Sequence, residues 1–254
     1  MPPLREGPGD AVREQSTALP VFTTRLDLDR IRAARRVIDP IFLDTPLYEC
    51  DALGRELGCA VSIKLETANP VHSFKARGTE LVASLLTDQG RTAAVCASAG
   101  NLGQALGWSG HRRGLDVTVV ASRRAPAVKL DRIRALGAEL ELVDGDFEMA
   151  RERAASIAQR RGVRLLEDSL DIETCEGTAT IGLELASGAS SLDAVLIALG
   201  GGALATGVGY VLKTLSPGVE PVGQHAEHAG GEGDPHTRDC ELFRLHTGVW
   251  HASR

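Results

Sequence analysis

Three loop segments of the chain carry residue types that can hold a reactive amine or bind an anion. The first contains Lys75, which follows a predicted strand and the turn Asn69-Pro70; a lysine amine can act as a nucleophile or as a base. A second apolar strand is followed by Ser98-Ala99-Gly100-Asn101, which offers neutral hydrogen-bond donors. A third is followed by Gly200-Gly201-Gly202, whose backbone N–H groups can approach a phosphate. Taken singly, these segments also fit a surface lysine, a helix cap and a tight turn.

Other ligand-binding patterns are absent or incomplete in the sequence. No Gly-Lys-Ser/Thr follows the glycine triplet and no G-x-G-x-x-G is present, which excludes a P-loop and a dinucleotide fingerprint. The pair His225-x-x-His228 lacks a third ligand at suitable spacing, so we predict no metal site.

The elements that must position these loops alternate regularly from residue 92 onward. Short apolar runs alternate with amphipathic stretches, a pattern typical of a parallel sheet wrapped by helices, in which ligands bind at the carboxyl ends of the strands. The predicted strands are Thr92–Ala97, Asp116–Ala121, Glu139–Val143, Arg164–Glu167 and Ala194–Leu199. The predicted helices are Asn101–Arg113, Ala125–Leu136, Phe147–Arg161, Thr174–Ala186 and Ala203–Leu215.

Earlier elements complete one α/β system. We expect a helix over Leu28–Ile38 with Asp27 as its N-cap, a strand over Val61–Leu65 and a helical run over Thr79–Leu86. The fold class is therefore α/β, with open, twisted, mostly parallel sheets and helices on both faces.

Composition excludes several classes of protein. Across 254 residues the net charge is -6 and aromatic residues make up 4 %, which disfavours a nucleic-acid partner. The five cysteines are scattered, which favours a reducing cytoplasm over a disulfide framework. The uncharged stretch 194–212 is long enough to span a bilayer, but its glycine cluster favours a strand, turn and helix over a membrane span.

Together the motifs resemble those of the fold-type II pyridoxal-phosphate enzymes, particularly the threonine and serine dehydratases and serine racemases. The resemblance covers about residues 25 to 224. It rests on short ordered motifs: Thr45-Pro46-Leu47, Lys64-Leu65-Glu66-x-x-Asn69, Ser73-Phe74-Lys75-x-Arg77-Gly78, Ser98-Ala99-Gly100-Asn101-x-x-Gln104, Glu176-Gly177-Thr178 and Gly200-Gly201-Gly202-Ala203-Leu204.

The resemblance implies a role for each loop. Lys75 would hold pyridoxal 5'-phosphate covalently and, once freed, remove the α-proton of an amino-acid substrate. Asn101 would contact the ring oxygen of the cofactor, and Gly200, Gly201, Gly202 and Ala203 would cradle its phosphate. Ser98, Ala99, Gly100 and Asn101 would bind the substrate carboxylate.

The resemblance also implies a division of the chain. It predicts a flexible tail over 1–22, a large cofactor-binding domain from 23–91 and 172–224, a small α/β domain over 92–171 and an irregular segment over 225–254. From this resemblance we expect the chain to lack the usual C-terminal part of the family fold. Homo-oligomers are common in the family.

The implied reaction is elimination of water and ammonia from L-threonine or L-serine to give a 2-oxo acid. Racemases that resemble this chain have a serine at the position of Ala99. Because alanine cannot transfer a proton, we expect elimination over racemisation. Leu102 and Glu176 replace a histidine and a glutamine common in dehydratases, which leaves the substrate open. β-Replacement, racemisation and an inactive truncated homologue that only binds a partner are the alternatives.

Overall fold

The computed structural model describes residues 24–188 and 192–225, and the backbone of 243–246 and 249–250. The described helices are α1 Leu28–Ala34, α2 Asp51–Leu57, α3 Lys75–Asp88, α4 Asn101–Arg113, α5 Ala127–Ala135, α6 Phe147–Arg161, α7 Ile172–Gly188 and α8 Ala203–Leu215, with a 3₁₀ turn at Pro40–Phe42. The described strands are β1 Leu47–Glu49, β2 Ser62–Lys64, β3 Ala93–Ala97, β4 Asp116–Ser122, β5 Glu139–Val143, β6 Arg164–Leu166, β7 Ala194–Leu199, β8 Glu220–His225, β9 Phe243–His246 and β10 Val249–Trp250.

One sheet is wholly parallel and has helices on both faces. Its strand order is β5-β4-β3-β6. Successive side chains of a strand point to opposite faces, so Val95 packs among residues of α6 while its neighbour Cys96 packs with Leu106 of α4. This double coverage explains why β3 is wholly apolar and why β4 is buried from Val117 to Ala121.

A second sheet has the order β10-β9-β8-β7, in which β7 and β8 are parallel and the remaining pairs are antiparallel. Ile197 of β7 packs with Val208 and Leu212 of α8 on one face. On the other face Leu196 is 72 % exposed. A separate two-stranded antiparallel sheet joins β1 to β2. Among the described residues, no helix combines the length and the apolar character needed to cross a membrane.

Helix α7 is crossed closely by two others, and glycine makes both crossings possible. A Cβ atom on Gly177 would lie 2.3 Å from the carbonyl oxygen of Arg77 in α3, and one on Gly207 of α8 would lie 2.4 Å from the carbonyl oxygen of Cys175. Such separations leave no room for any side chain, so backbone packs directly on backbone. Because α3 begins with Lys75 and α8 begins directly after Gly202, these crossings fix the two loops relative to each other.

The α/β class and the alternation of elements from residue 93 onward are confirmed. Boundaries differ: α3 begins at Lys75 rather than Thr79, and α1 ends at Ala34 because the following chain tightens, with the N–H of Arg36 donating to the carbonyl of Ala33. Asp27 caps α1 as predicted, accepting from the N–H of Arg30 at 2.8 Å.

Several short elements were not expected from the sequence. These are β1, α2 and the 3₁₀ turn, and also β9 and β10, which lie in the segment predicted to be irregular. The predicted tail over 1–22 and His228 lie outside the described residues, and the division into two interleaved domains stays a prediction.

Candidate active site

The loop before Lys75 is held by a buried asparagine. The side-chain oxygen of Asn69 accepts from the N–H groups of Val71 and Ser73 at 3.1 and 3.3 Å, and its amide nitrogen donates to the carbonyls of Glu66 and Ser73 at 2.8 and 3.2 Å. The hydroxyl of Ser73 then accepts from the N–H of Lys75 at 3.2 Å. Asn69 thus satisfies a turn that would otherwise leave buried backbone groups unpaired.

The side chain of Lys75 points to the carboxyl end of the parallel sheet. Its ammonium donates to Oδ2 of Asp168, a residue just beyond β6, and lies 4.7 Å from the ring centroid of Phe74. Both members of the ion pair are partly accessible, with 19 % of the Lys75 side chain and 18 % of the Asp168 side chain exposed. The amine can therefore be reached by a small molecule.

The glycine loop lies beside this ion pair. A Cβ atom on Gly201 would lie 3.8 Å from Oδ2 of Asp168 and 3.2 Å from the hydroxyl of Ser169. Gly200 and Gly202 face open space, and Gly202 has a φ of 98°, a conformation that favours glycine. The structure thus brings Lys75 and the glycine loop together, with Asp168 between them.

The third loop reaches the same edge of the parallel sheet. Cys96 of β3 pairs in register with Leu166 of β6, so Ser98 and Asp168 both leave the sheet two residues later. The hydroxyl of Ser98 accepts from the N–H of Gly100 at 3.1 Å, and α4 begins at Asn101. The side chain of Asn101 is exposed and makes no hydrogen bond to a described residue, which leaves it available to a ligand.

A buried ion cluster holds the Lys75 segment in the core through Arg77. The fully buried guanidinium of Arg77 donates to Glu66 at 3.0 and 2.9 Å, to Glu184 at 2.6 and 3.1 Å, and to the hydroxyls of Thr45 and Thr180. The ammonium of Lys64 lies 2.5 Å from Glu184. Arg77 and Lys64 thus compensate the carboxylates of Glu66 and Glu184, as buried charges require. Arg35, which pairs with Asp44 at 2.8 Å, lies 3.9 Å from Glu184 at the margin of the cluster.

The electrostatics of Glu184 follow from this cluster. Burial raises the pKa of the carboxyl, but hydrogen bonds and attraction from Arg77, with a further hydrogen bond from Lys64, outweigh it and the pKa is lowered from its ordinary value. Glu184 is thus held as a carboxylate.

Glu176, which replaces a glutamine common in dehydratases, contacts the start of α1. Its carboxylate accepts from Arg30 at 2.6 and 3.0 Å and from the N–H of Asp27 at 3.1 Å. The hydrogen bond that Arg30 donates to Glu176 raises the pKa of Arg30 and outweighs the opposing effect of burial. These bonds dock α1 onto α7.

The residues present fit a phosphate-bearing cofactor with an aldehyde. The glycine loop leads into α8, whose first turn no side chain caps, so its N–H groups and positive dipole end are available to an anion, and the space beside Gly200 and Gly202 is open. Lys75 supplies the amine that an aldehyde would need, one loop away. Gly200 and Gly201 are exposed, so a solute can reach the loop.

A comparison with known families decides which cofactor this is. The family described as "Pyridoxal-phosphate dependent enzyme" matches residues 38–241. The chain belongs to this family. Its cofactor is therefore pyridoxal 5'-phosphate, and the resemblance to fold-type II enzymes is confirmed.

Individual relatives agree with this membership. The chain is 32 % identical over 180 residues to the biosynthetic L-threonine dehydratase of Pasteurella multocida. The matched segment covers 70 % of this chain and 35 % of that enzyme. A pyridoxal 5'-phosphate-dependent aspartate racemase superposes with a TM-score of 0.74 at 27 % identity, over 80 % of this chain and 64 % of that one. Processed threonine deaminase isoform 2 of Solanum lycopersicum superposes with a TM-score of 0.71 at 29 % identity, over 80 % and 61 %.

The chain thus spans about a third of the length of the curated dehydratase it matches. The roles predicted for Lys75, Asn101, the Ser98 loop and the glycine loop stay predictions, although the three loops meet at one place. Asp168 was missed by sequence reasoning. The one available sequence signal was its position directly after the predicted strand Arg164–Glu167, which many loop acids share.

Proposed function

We propose that this chain is a pyridoxal-phosphate-dependent ammonia-lyase that removes water and ammonia from a small hydroxy amino acid, L-threonine or L-serine. The observation that carries the proposal is the convergence of the Lys75 amine and the open glycine loop beside Asp168. The similarity to threonine dehydratases supports the choice of reaction.

Each part of the site has a separate task. When bound, pyridoxal phosphate supplies the electron sink for the bond broken at the substrate α-carbon. Gly200, Gly201, Gly202 and Ala203, at the start of α8, bind the phosphate through backbone N–H groups. The Ser98–Asn101 loop binds the substrate carboxylate, and Asn101 also contacts the ring oxygen of the cofactor. Nζ of Lys75 accepts the α-proton.

The test uses purified chain with added cofactor. We expect a visible absorption band that Lys75→Ala abolishes, and release of 2-oxo acid from L-threonine or L-serine. Lys129→Ala, which removes an exposed lysine on α5, serves as the matched control. If the wild-type chain does not develop the band, the proposal is contradicted and the hypothesis of an inactive chain that only binds a partner is favoured.

Racemisation is a second candidate, favoured by the likeness to the aspartate racemase. In the proposed lyase, Ala99 lies in the substrate loop where an acid on the opposite face of the substrate would be needed for racemisation. Chiral chromatography of the products separates the two. Formation of D-serine from L-serine faster than 2-oxo acid would replace elimination with racemisation, and product that needs an added thiol would indicate β-replacement.

A further inference from the structure

One carboxylate lies between the amine and the phosphate loop. Asp168 accepts from the Lys75 ammonium, and its Oδ2 would be 3.8 Å from a Cβ atom placed on Gly201. Asp168 therefore faces both places at which the proposed lyase would hold its cofactor: the amine and the phosphate loop.

The backbone of Asp168 is set by the core and not by Lys75. The hydroxyl of Thr174 donates to the carbonyl of Asp168 and, at 2.7 Å, to that of Asp171. Thr174 is buried where Gly78 of α3 packs against α7. The N–H of Glu167 donates to the Asp171 carboxylate at 2.7 Å, which closes the loop on itself. The loop is thus built to direct the Asp168 side chain into the site.

The charge of Asp168 has opposite consequences before and after cofactor binding. In the chain as described, the Asp168 carboxylate pairs with Lys75 and lies near the start of α8, whose positive dipole end attracts it. A phosphate monoester brings about -1.5 to -2 charges to the same place, and like charges at close range repel.

We propose that Asp168 controls cofactor capture: it holds the Lys75 ammonium beside the glycine loop and opposes the incoming phosphate until its carboxylate is displaced. This inference rests on the proposed function, since it assumes that the glycine loop binds phosphate and that Lys75 binds the aldehyde.

The experiment measures binding, not turnover. Cofactor-free chain is titrated with pyridoxal 5'-phosphate and, separately, with pyridoxal, which lacks the phosphate; adducts are fixed with borohydride and the modified lysine is identified by mass spectrometry. The chain has four lysines, Lys64, Lys75, Lys129 and Lys213, so assignment is unambiguous.

Three variants are compared with the wild type. D168N removes the charge and keeps the shape, whereas D168E restores the charge. D193N is the matched control, because Asp193 is an exposed carboxylate just before β7, at the end of that strand opposite the glycine loop. Far-UV circular dichroism melts verify that all variants are folded.

We expect D168N to lower the dissociation constant for pyridoxal 5'-phosphate by roughly tenfold and to change that for pyridoxal by less than about threefold. D168E and D193N should keep wild-type values. Unchanged or weaker phosphate-dependent binding by D168N, with the adduct still at Lys75, would overturn the role of Asp168 alone. An equal gain with both aldehydes would overturn it too. Absence of an adduct at Lys75 in every chain would overturn both this inference and the proposed function.

Discussion

Replacing Arg77 with methionine tests whether the buried ion cluster stabilises the fold. Arg77 is fully buried and makes four short contacts to the carboxylates of Glu66 and Glu184. Without it, the two carboxylates keep Lys64, 2.5 Å from Glu184, and the partly exposed Arg35, 3.9 Å from Glu184 and already paired with Asp44, so buried negative charge is left undercompensated. Removing one partner of a buried ion pair costs about 3–5 kcal/mol, a large part of the ~5–15 kcal/mol that stabilises a typical domain.

The assay is urea unfolding followed by far-UV circular dichroism, with the free energy of unfolding extrapolated to water. R77K keeps the charge but not the planar set of donors, so it should cost less than R77M, about 1–3 kcal/mol. E184Q leaves the opposite imbalance. The double variant R77M/E184Q restores a balance of one cation and one carboxylate, so it should be more stable than the sum of the single effects predicts, by at least about 1 kcal/mol.

Two results would refute the reasoning. If R77M and R77K lose the same free energy of unfolding, the missing donors and not the uncompensated charge explain the loss. The double variant should not lose the full sum of the two single losses in free energy of unfolding, because the two charges are only 2.6 Å apart. If it does, Arg77 and Glu184 act independently and the proposed coupling is wrong.

Three further predictions concern pH, thiol reactivity and helix packing. Folding lowers the pKa of Glu184 from its ordinary 4.5, so on acidification this carboxyl is protonated in the unfolded chain before it is protonated in the folded one. The stability that the carboxylate contributes at neutral pH is therefore lost as the pH falls below about 4.5. Urea midpoints measured between about pH 3 and 6 should fall less steeply in E184Q than in the wild type. Burial raises the pKa of Cys96 to about 12, so a thiol reagent at about pH 8 should label the exposed Cys59 at once and Cys96 only after unfolding, as peptide mass spectrometry can show. Gly177→Ala should lower the free energy of unfolding by about 2–3 kcal/mol, because its Cβ would meet backbone, whereas Gly218→Ala, which faces open space, should stay within about 0.5 kcal/mol of wild type in the same urea assay.

The parallel sheet could be predicted from the sequence because its signal is local. β3 is wholly apolar, and β4 is apolar except at Asp116, Thr118 and Ser122. The helices between strands end at recognisable positions such as Gly162, which has a φ of 66°. The convergence of the three loops did not follow from the sequence in this way, because β2, β3 and β7, which precede them, belong to three different sheets, and only the packing of α3, α7 and α8 brings the loops of Lys75 and Gly200 together. The short elements β1 and α2 were missed because they carry little periodicity and, unlike the equally short β6, lie outside the regular alternation of strands and helices.

The electrostatic parts of the site could not be predicted by residue type. Asp168 has the same sequence signature as any solvated loop acid, and only the pairing of β3 with β6 brings it to the Lys75 edge. The cluster around Arg77 joins Thr45, Glu66 and Glu184, which are far apart in sequence, so its charge balance exists only in the folded chain.

The segment from Ser73 to Gly78 has a consequence for how variants of this chain are scored. Lys75 faces the site, whereas the next residues of the segment are buried: Arg77 bonds to Glu184, and Gly78 packs against the backbone of Thr174. A deep mutational scan read only through growth or turnover would rank all three positions as equally intolerant. A parallel abundance readout would divide them: Lys75 variants should accumulate as folded but silent protein, while Arg77 and Gly78 variants should be depleted from the cell.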